Sequence, residues 1–213
     1  AGLVGCYNAL ALYENFVKNF KMKRTFELGH YNNLKNSFFN KKFSKIKILV
    51  TGDGRVNRGV LEMLNHTNIT EISKEDYLLK NYDIPVFCNL KTADYVTFDS
   101  KKSFDLQHFI NYPKKYRSKT HEFLKSTNLL ISAHYWDPNS PKIFELKNLK
   151  DYSSLKVIGD ITCDINGSIP TTLKSTSIEN PYFYYDKNNF SECKLSLNAL
   201  AIMAVVNLPS ELP

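Results

Sequence analysis

With 213 residues, 43% of them apolar and 23% charged, the chain is long enough to bury one large globular core. No apolar run approaches the length of a membrane span and no secretory signal is legible, which excludes an integral helical membrane protein and points to the cytoplasm. The net charge of +7 suits phosphate groups, but the basic residues are spread along the chain without a basic helix or an RNA-binding aromatic motif, so no nucleic-acid partner is expected.

Residues 1 to 20 read as a helix with a broad apolar face formed by Leu3, Val4, Tyr7, Leu10, Ala11, Tyr13, Phe16 and Val17. Gly29 to Asn33 reads as a loop, and Leu34 to Phe43 as a short basic helix or connector. A β-branched, alternating run at Ile46 to Thr51 predicts a core strand, followed by a helix over Arg55 to Asn65. A short second strand is predicted at Asn68 to Ile72. Val86 to Leu90 and Tyr95 to Phe98 read as strands of an inserted, hairpin-like segment. Lys114 to Lys125 reads as a basic helix and Asn128 to Ala133 as a buried strand. Pro138 and Pro141 are expected to open a further helix. Leu155 to Asp160 and Leu200 to Val206 complete the predicted strands. Strands alternating with helices predict an α/β fold, a Rossmann-like, doubly wound and mostly parallel sheet with flanking helices.

The turn Gly52-Asp53-Gly54-Arg55 joins the first core strand directly to an amphipathic helix. Gly52 permits a tight turn, and Gly54 lets a pyrophosphate approach the backbone. The helix that follows aims free N–H groups and the positive end of its dipole at phosphates. A third glycine is usual at position 57; this chain has Asn57, with Gly59 two residues later. At the end of the second strand, Ser73 followed by Lys74 suits the 2′-phosphate of NADP. Glu71 or Glu75 would instead suit the ribose hydroxyls of NAD.

Other strand ends carry His134-Tyr135-Trp136, Asp160 to Asp164 and Asn207 to Pro209, which a parallel sheet would bring to one edge. Asp160 and Asp164 suit a substrate ammonium or a ribose, or alternatively turn and cap duty. His134 is the histidine best placed to meet a ligand. The others show no metal-ligand spacing, and no nucleophile motif is present. The four cysteines, Cys6, Cys88, Cys163 and Cys193, show neither zinc nor disulfide spacing and read as reduced thiols. No metal site is expected.

In order, Ala1-Gly-Leu-Val-Gly5, Gly52-Asp-Gly-Arg-Val56, His134-Tyr-Trp-Asp-Pro138, Asp160-Ile-Thr-Cys-Asp-Ile-Asn-Gly-Ser-Ile169, Thr176-Ser-Ile-Glu-Asn-Pro-Tyr182 and Asn207-Leu-Pro-Ser-Glu-Leu-Pro213 resemble the lysine-forming saccharopine dehydrogenases. They equally resemble the lysine–2-oxoglutarate reductase half of bifunctional enzymes, within the alanine dehydrogenase/transhydrogenase superfamily. The resemblance covers essentially the whole chain. It implies two Rossmann-like domains with NAD or NADP and an amino-acid substrate in the cleft between them. Residues 1–44 would then be a leading interdomain helix and connector, and residues 45–213 the dinucleotide-binding domain.

By resemblance, Gly52, Gly54 and Arg55 meet the pyrophosphate and Ser73 the ribose. Tyr135 and Ile161 line the cofactor, Val205, Val206, Asn207 and Leu208 lie by the nicotinamide, and Thr162, Cys163 and Asp164 face the amino-acid substrate. The acid–base residues belong to the other domain, so no catalytic residue is expected in this chain, whose ends read as cuts through a longer polypeptide. Val206 stands where the family usually has Asp. The implied reaction oxidises the C–H beside a secondary amine, and water then releases lysine and 2-oxoglutarate, or the reverse. An alanine-dehydrogenase-like enzyme and a non-catalytic nucleotide-binding module are the alternatives. An oligomer is left open.

Overall fold

The sheet is built around β1 (Lys47–Thr51), where Ile48 and Val50 enter one apolar core, Leu49 enters the other, and all three are fully buried. A strand buried on both faces needs helices on both sides. The computed structural model describes the chain apart from residues 40, 99–102, 197 and 213, so Pro213 of the last sequence block lies outside the described residues.

Ahead of β1 come α1 (Gly2–Lys18), α2 (Thr25–Leu28) and α3 (Tyr31–Phe39). After it, α4 (Arg55–Leu64), β2 (Thr70–Glu71), α5 (Lys74–Leu79) and β3 (Val86–Leu90) complete the first half. A small excursion follows, made of α6 (Thr92–Tyr95), β4 (Val96–Phe98), α7 (Leu106–Asn111) and β5 (Tyr116–Ser118). The second half holds α8 (His121–Lys125), β6 (Leu129–Ser132) and β7 (Val157–Asp160). It ends with β8 (Tyr182–Asp186), β9 (Ser191–Cys193) and β10 (Ala199–Met203). The eight-stranded sheet has the order β2-β3-β1-β6-β7-β10-β8-β9. Strands β2 to β10 in that order run parallel, and the β8–β9 hairpin closes the edge antiparallel. Helices α1 and α4 cover one face, while Tyr77 of α5 and Phe123 and Leu124 of α8 enter the core on the other. The fold is α/β, doubly wound and mostly parallel.

The register sets the functional edge. Leu90 pairs with Thr51, Thr51 with Ser132, and Ser132 with Asp160, so four strands end in one row. Adjacent parallel strands lie about 4.8 Å apart, and the residues just beyond that row therefore converge.

Several expectations change. Val86 to Leu90 is a core strand between β2 and β1, not part of an inserted hairpin; four of its five residues are apolar and buried, as a strand covered on both faces requires. The antiparallel partner of Val96–Phe98 is Tyr116–Ser118, in a separate two-stranded sheet. That pairing breaks the helix expected over Lys114 to Lys125, of which only His121–Lys125 is α-helical. The loop read at Gly29 to Asn33 is already helical from Tyr31, because Leu34 and Phe38, one turn apart, are buried as anchors. No helix follows Pro138 and Pro141; Asp137 Oδ1 accepts from Asn139 N at 2.8 Å in a turn, and a 3₁₀ segment forms only at Leu146–Asp151. The last strand stops at Met203. The alternating burial of Tyr182–Asp186 marks a strand that the sequence reading passed over.

Helix α1 packs along α4, β6, β7 and β10 as a layer of the same core. The C-terminal block is tied to it through a buried carboxylate. Glu211 accepts from Asn8 Nδ2 at 2.9 Å, from Arg24 Nη2 at 2.6 Å and from the Thr25 hydroxyl, and its side chain is fully buried. Removing one member of such a group strands the others away from water. Glu211→Ala is expected to lower stability by about 3 kcal/mol, read by urea unfolding; a loss under about 1 kcal/mol would show that the cluster is dispensable.

Candidate functional site

The chain leaves β1 through Gly52, whose φ of 127° lies in a region that L side chains rarely adopt. A Cβ there would stand 2.5 Å from the Ala133 carbonyl oxygen. Only glycine lets the exit of β1 pass so close to the exit of β6. Gly54 is the N-cap of α4 and is extended, and a Cβ on it would meet nothing within 4 Å. No side chain caps α4. By contrast, Ser73 Oγ accepts from Asp76 N at 3.0 Å on α5, and Asp105 Oδ1 from His108 N at 2.8 Å on α7. The uncapped first-turn amides of α4 and its dipole thus face open space, the arrangement that receives an anion. Arg55, first in that helix, is exposed and makes no hydrogen bond or ion pair among the described residues.

Beside this turn lies a cavity of about 300 Å³ lined by Gly54, Arg55, Val56, Ala133, His134, Tyr135, Ile161 and Thr162. Those residues come from the exits of β1, β6 and β7. A larger cavity of about 590 Å³, lined by Phe16, Val17, Lys156, Leu195 and Ser196, opens by the start of β7, away from these exits. The ring of His134 is buried, with Nδ1 2.9 Å from Thr51 Oγ1 and 3.4 Å from Ser132 Oγ, while Nε2 has no partner. Burial lowers its pKa to about 4, so the ring is neutral at physiological pH. Tyr135, next in the chain, is 90% exposed.

At the exit of β7, Asp160 is fully buried. Its carboxylate accepts from Thr162 Oγ1 at 2.6 Å, Thr162 N at 3.2 Å and Thr172 Oγ1 at 2.7 Å. Burial pushes the Asp160 carboxyl up, and these hydrogen bonds offset only part of that rise. Asp160 thereby shapes the turn that carries Thr162 and Cys163, the latter at φ 51°. Asp164 is exposed on the same turn. Beyond β10, Val205 and Leu208 are buried, Val206 and Asn207 exposed, and Asn207 is left-handed at φ 59°. These four residues follow the strand next to β7 and lie on the same edge, but they do not line the 300 Å³ cavity.

Ser73 is set apart from the rest. It follows the edge strand β2, and its hydroxyl is occupied by the cap of α5. The strand beside β1 is β3, and its exit meets the glycine turn. Gly52 N donates to Leu90 O at 2.9 Å, and Thr92 N and Oγ1 approach the Asp53 carboxylate at 3.4 Å. Lys74 Nζ and Lys91 N both donate to Asp94, at 2.5 and 3.0 Å. Sequence reading missed this group because Val86 to Leu90 was read as an insertion. Asn57, in place of a third glycine, is buried and donates to Asn89 Oδ1 at 2.8 Å, tying α4 to β3. Among the described residues, no group of three or more His, Cys, Asp or Glu could hold a metal ion.

Comparison with known proteins gives consistent relatives. The chain is 30% identical over 183 residues to alpha-aminoadipic semialdehyde synthase of Arabidopsis thaliana, matching 76% of this chain and 17% of that protein. Over 201 residues it is 23% identical to the mitochondrial enzyme of the same name from Mus musculus, matching 81% of this chain and 21% of that protein. The chain is thus a relative of the alpha-aminoadipic semialdehyde synthases. It spans about a fifth of the length of these relatives. No family model matches it. A solved L-alanine dehydrogenase superposes with a TM-score of 0.42 at 12% identity, over 100% of this chain and 50% of that one, a likeness too distant to carry an argument. No helix among the described residues is long and apolar enough to cross a membrane.

Two outcomes follow from the site's geometry. Gly52→Ala is expected to cost about 2 kcal/mol or more, from backbone strain and the Ala133 contact, whereas Gly54→Ala stays within about 0.5 kcal/mol of the parent. Thermal unfolding of the pair checks this, and equal losses would refute the assignment of the steric constraint to Gly52. The second concerns acid. Once unfolded, the His134 ring regains its ordinary pKa of 6.5, so between there and about 4 the unfolded chain binds a proton that the folded chain refuses. The contribution is intact above pH 6.5 and is lost as pH falls through that window, by roughly 3 kcal/mol in all. His134→Gln should flatten this part of the stability profile; an unchanged slope would show that His134 is not its source.

Proposed function

We propose that this chain is the nucleotide-binding part of an NAD(P)-dependent oxidoreductase acting on a C–N bond of an amino-acid substrate. The reaction proposed is that of the family, saccharopine to lysine and 2-oxoglutarate or the reverse. The observation that carries the reading is the uncapped N-terminus of α4 behind Gly52 and Gly54, set among the converging exits of β1, β3, β6 and β7. The residues present fit a dinucleotide: open space at Gly54 and, among the described residues, an Arg55 without a hydrogen-bond or ion-pair partner. When bound, the nicotinamide would supply the redox chemistry. The α4 amides and Arg55 would hold the pyrophosphate, and Tyr135 and Ile161 would flank the cofactor. Thr162, Cys163 and Asp164 would face the amino-acid substrate, and Val205 to Leu208 would border the nicotinamide. Acid–base groups are assigned to a second domain elsewhere in the polypeptide, with α1 leading to it. Free thiols at Cys6, Cys88, Cys163 and Cys193 suit a reducing compartment, the cytoplasm or an organelle matrix.

For the cofactor's adenosine end we propose the exit of β3 in place of Ser73. Lys74 Nζ and the Lys91 backbone N–H both donate to Asp94 there, and the Lys74 ammonium, with the exposed Lys91 side chain on the same segment, favours a 2′-phosphate, hence NADPH.

Fluorescence titration of the chain with NADH and NADPH tests both parts. Arg55→Ala is expected to weaken binding of either cofactor about tenfold, the scale of one lost charged hydrogen bond. Lys91→Ala should weaken NADPH more than NADH, while Ser73→Ala should leave their ratio unchanged. Unaltered affinity in Arg55→Ala would sink the pyrophosphate assignment, and a ratio moved by Ser73→Ala alone would return the ribose site to β2.

A further inference from the structure

His134 is a buried polar side chain that the proposed chemistry leaves unused. Thr51 ends β1 and Ser132 ends β6, and their hydroxyls both face Nδ1, at 2.9 and 3.4 Å. The chain runs from β1 to strands on one side of the sheet and later returns to β6 on the other, so this ring sits over the switch point, where open α/β sheets bind ligands. A neutral imidazole has one donor and one acceptor nitrogen. Each hydroxyl carries a hydrogen, and neither makes another side-chain hydrogen bond among the described residues. In the tautomer in which Nδ1 accepts from these hydroxyls, the ring proton stands on Nε2. That nitrogen is buried, without a partner, in a residue that lines the 300 Å³ cavity. The Tyr95 ring, 5.5 Å away and tilted by 51°, backs the imidazole from the exit of β3.

We propose that His134 is a further ligand-binding residue, whose Nε2–H donates a hydrogen bond to an oxygen of the bound dinucleotide. The proposal rests on the dinucleotide reading above. It deepens it, because the α4 amides, Arg55 and Nε2–H are all donors, and a cavity of donors selects an acceptor-rich ligand. The imidazole is neutral, so it adds direction without adding charge. Its role is positioning: it would offer one oriented bond from a residue of the cavity lining, with Thr51 and Ser132 holding Nδ1.

Nitrogen NMR of the histidine-labelled chain reads this directly. In the free chain the His134 proton is expected on Nε2, and saturating NADPH, or ADP-ribose as a fragment, should shift the Nε2 resonance more than that of Nδ1. Titration of variants gives a second readout. His134→Phe should weaken NADPH binding about tenfold. His134→Gln, whose amide reaches the Nε2 position, should stay within about threefold of the parent. His134→Asn, whose amide reaches only the Nδ1 position, should resemble His134→Phe; a purely structural role would reverse the order of Gln and Asn. NADPH binding to the parent chain with an unmoved Nε2, a proton found on Nδ1, or full affinity in His134→Phe each overturns this inference while leaving the dinucleotide reading standing. Failure of the parent chain to bind NADH, NADPH or ADP-ribose overturns both.

Discussion

The depth at which α1 is seated against α4 and the sheet is the constraint on which the rest of the molecule depends. A Cβ on Gly2 would fall 2.0 Å from the Val56 carbonyl oxygen, and one on Gly59 would fall 3.0 Å from Leu3 N. Further along, a Cβ on Gly159 of β7 would come within 2.6 Å of the Ala9 Cβ. The two helices touch backbone to backbone and the strand packs on the Ala9 methyl, and interiors this dense transmit small displacements. Val56 is in the first turn of α4, so the contact that seats α1 also sets where the uncapped amides of α4 point. The glycine turn, the helix and the cavity wall at Ile161 are positioned by one apolar seam, whose far end is closed by the buried Glu211 cluster.

That seam explains the glycine pattern better than the usual fingerprint does. Gly59 supplies a close approach, but toward α1. Position 57, where close packing on the strand is usual, instead holds a buried Asn57 bonded to Asn89. A buried amide is tolerable only with its hydrogen-bonding groups met, and the neighbouring strand supplies a matching amide at 2.8 Å. The substitution exchanges steric closeness for a specific polar tie between α4 and β3. It leaves the phosphate-facing turn open, because Gly52 and Gly54, not position 57, shape that turn.

What could be read from sequence divides along physical lines. The first core strand, its glycine turn, the following helix and the strands at Leu129–Ser132 and Val157–Asp160 announce themselves through local periodicity and turn chemistry. Gly54, Arg55, Tyr135, Ile161 and Thr162 were likewise placed together, because each immediately follows a legible strand. Ser73 lies apart from them because strand order is a tertiary property. Nothing local in Thr70–Glu71 reveals that another strand lies between it and β1. The pairing of His134 with Thr51 spans 83 residues and leaves no mark in either segment. The β8–β9 edge was missed although Tyr182-Phe-Tyr-Tyr has the aromatic composition that strands favour, since its alternation is one of burial and not of residue type.

The strand order itself follows from burial. β1 is five residues long and buried on both faces, so each neighbour must match it over that length to satisfy its backbone groups. Val86–Leu90 pairs with it at every position from Lys47 to Thr51. Thr70–Glu71 has two residues, both exposed, and could satisfy neither requirement. A short polar strand belongs at an edge, where exposed backbone groups reach water and an abbreviated ladder resists unwanted pairing. Once the longer apolar segment takes the inner place, its exit, carrying Lys91, Thr92 and Asp94, necessarily stands beside the glycine turn. Any ligand laid across the exits of β1 and β6 must therefore meet the residues after β3 before it can reach those after β2. The chemistry at that end of the cleft was chosen by the hydrophobicity of a strand lying entirely beneath it.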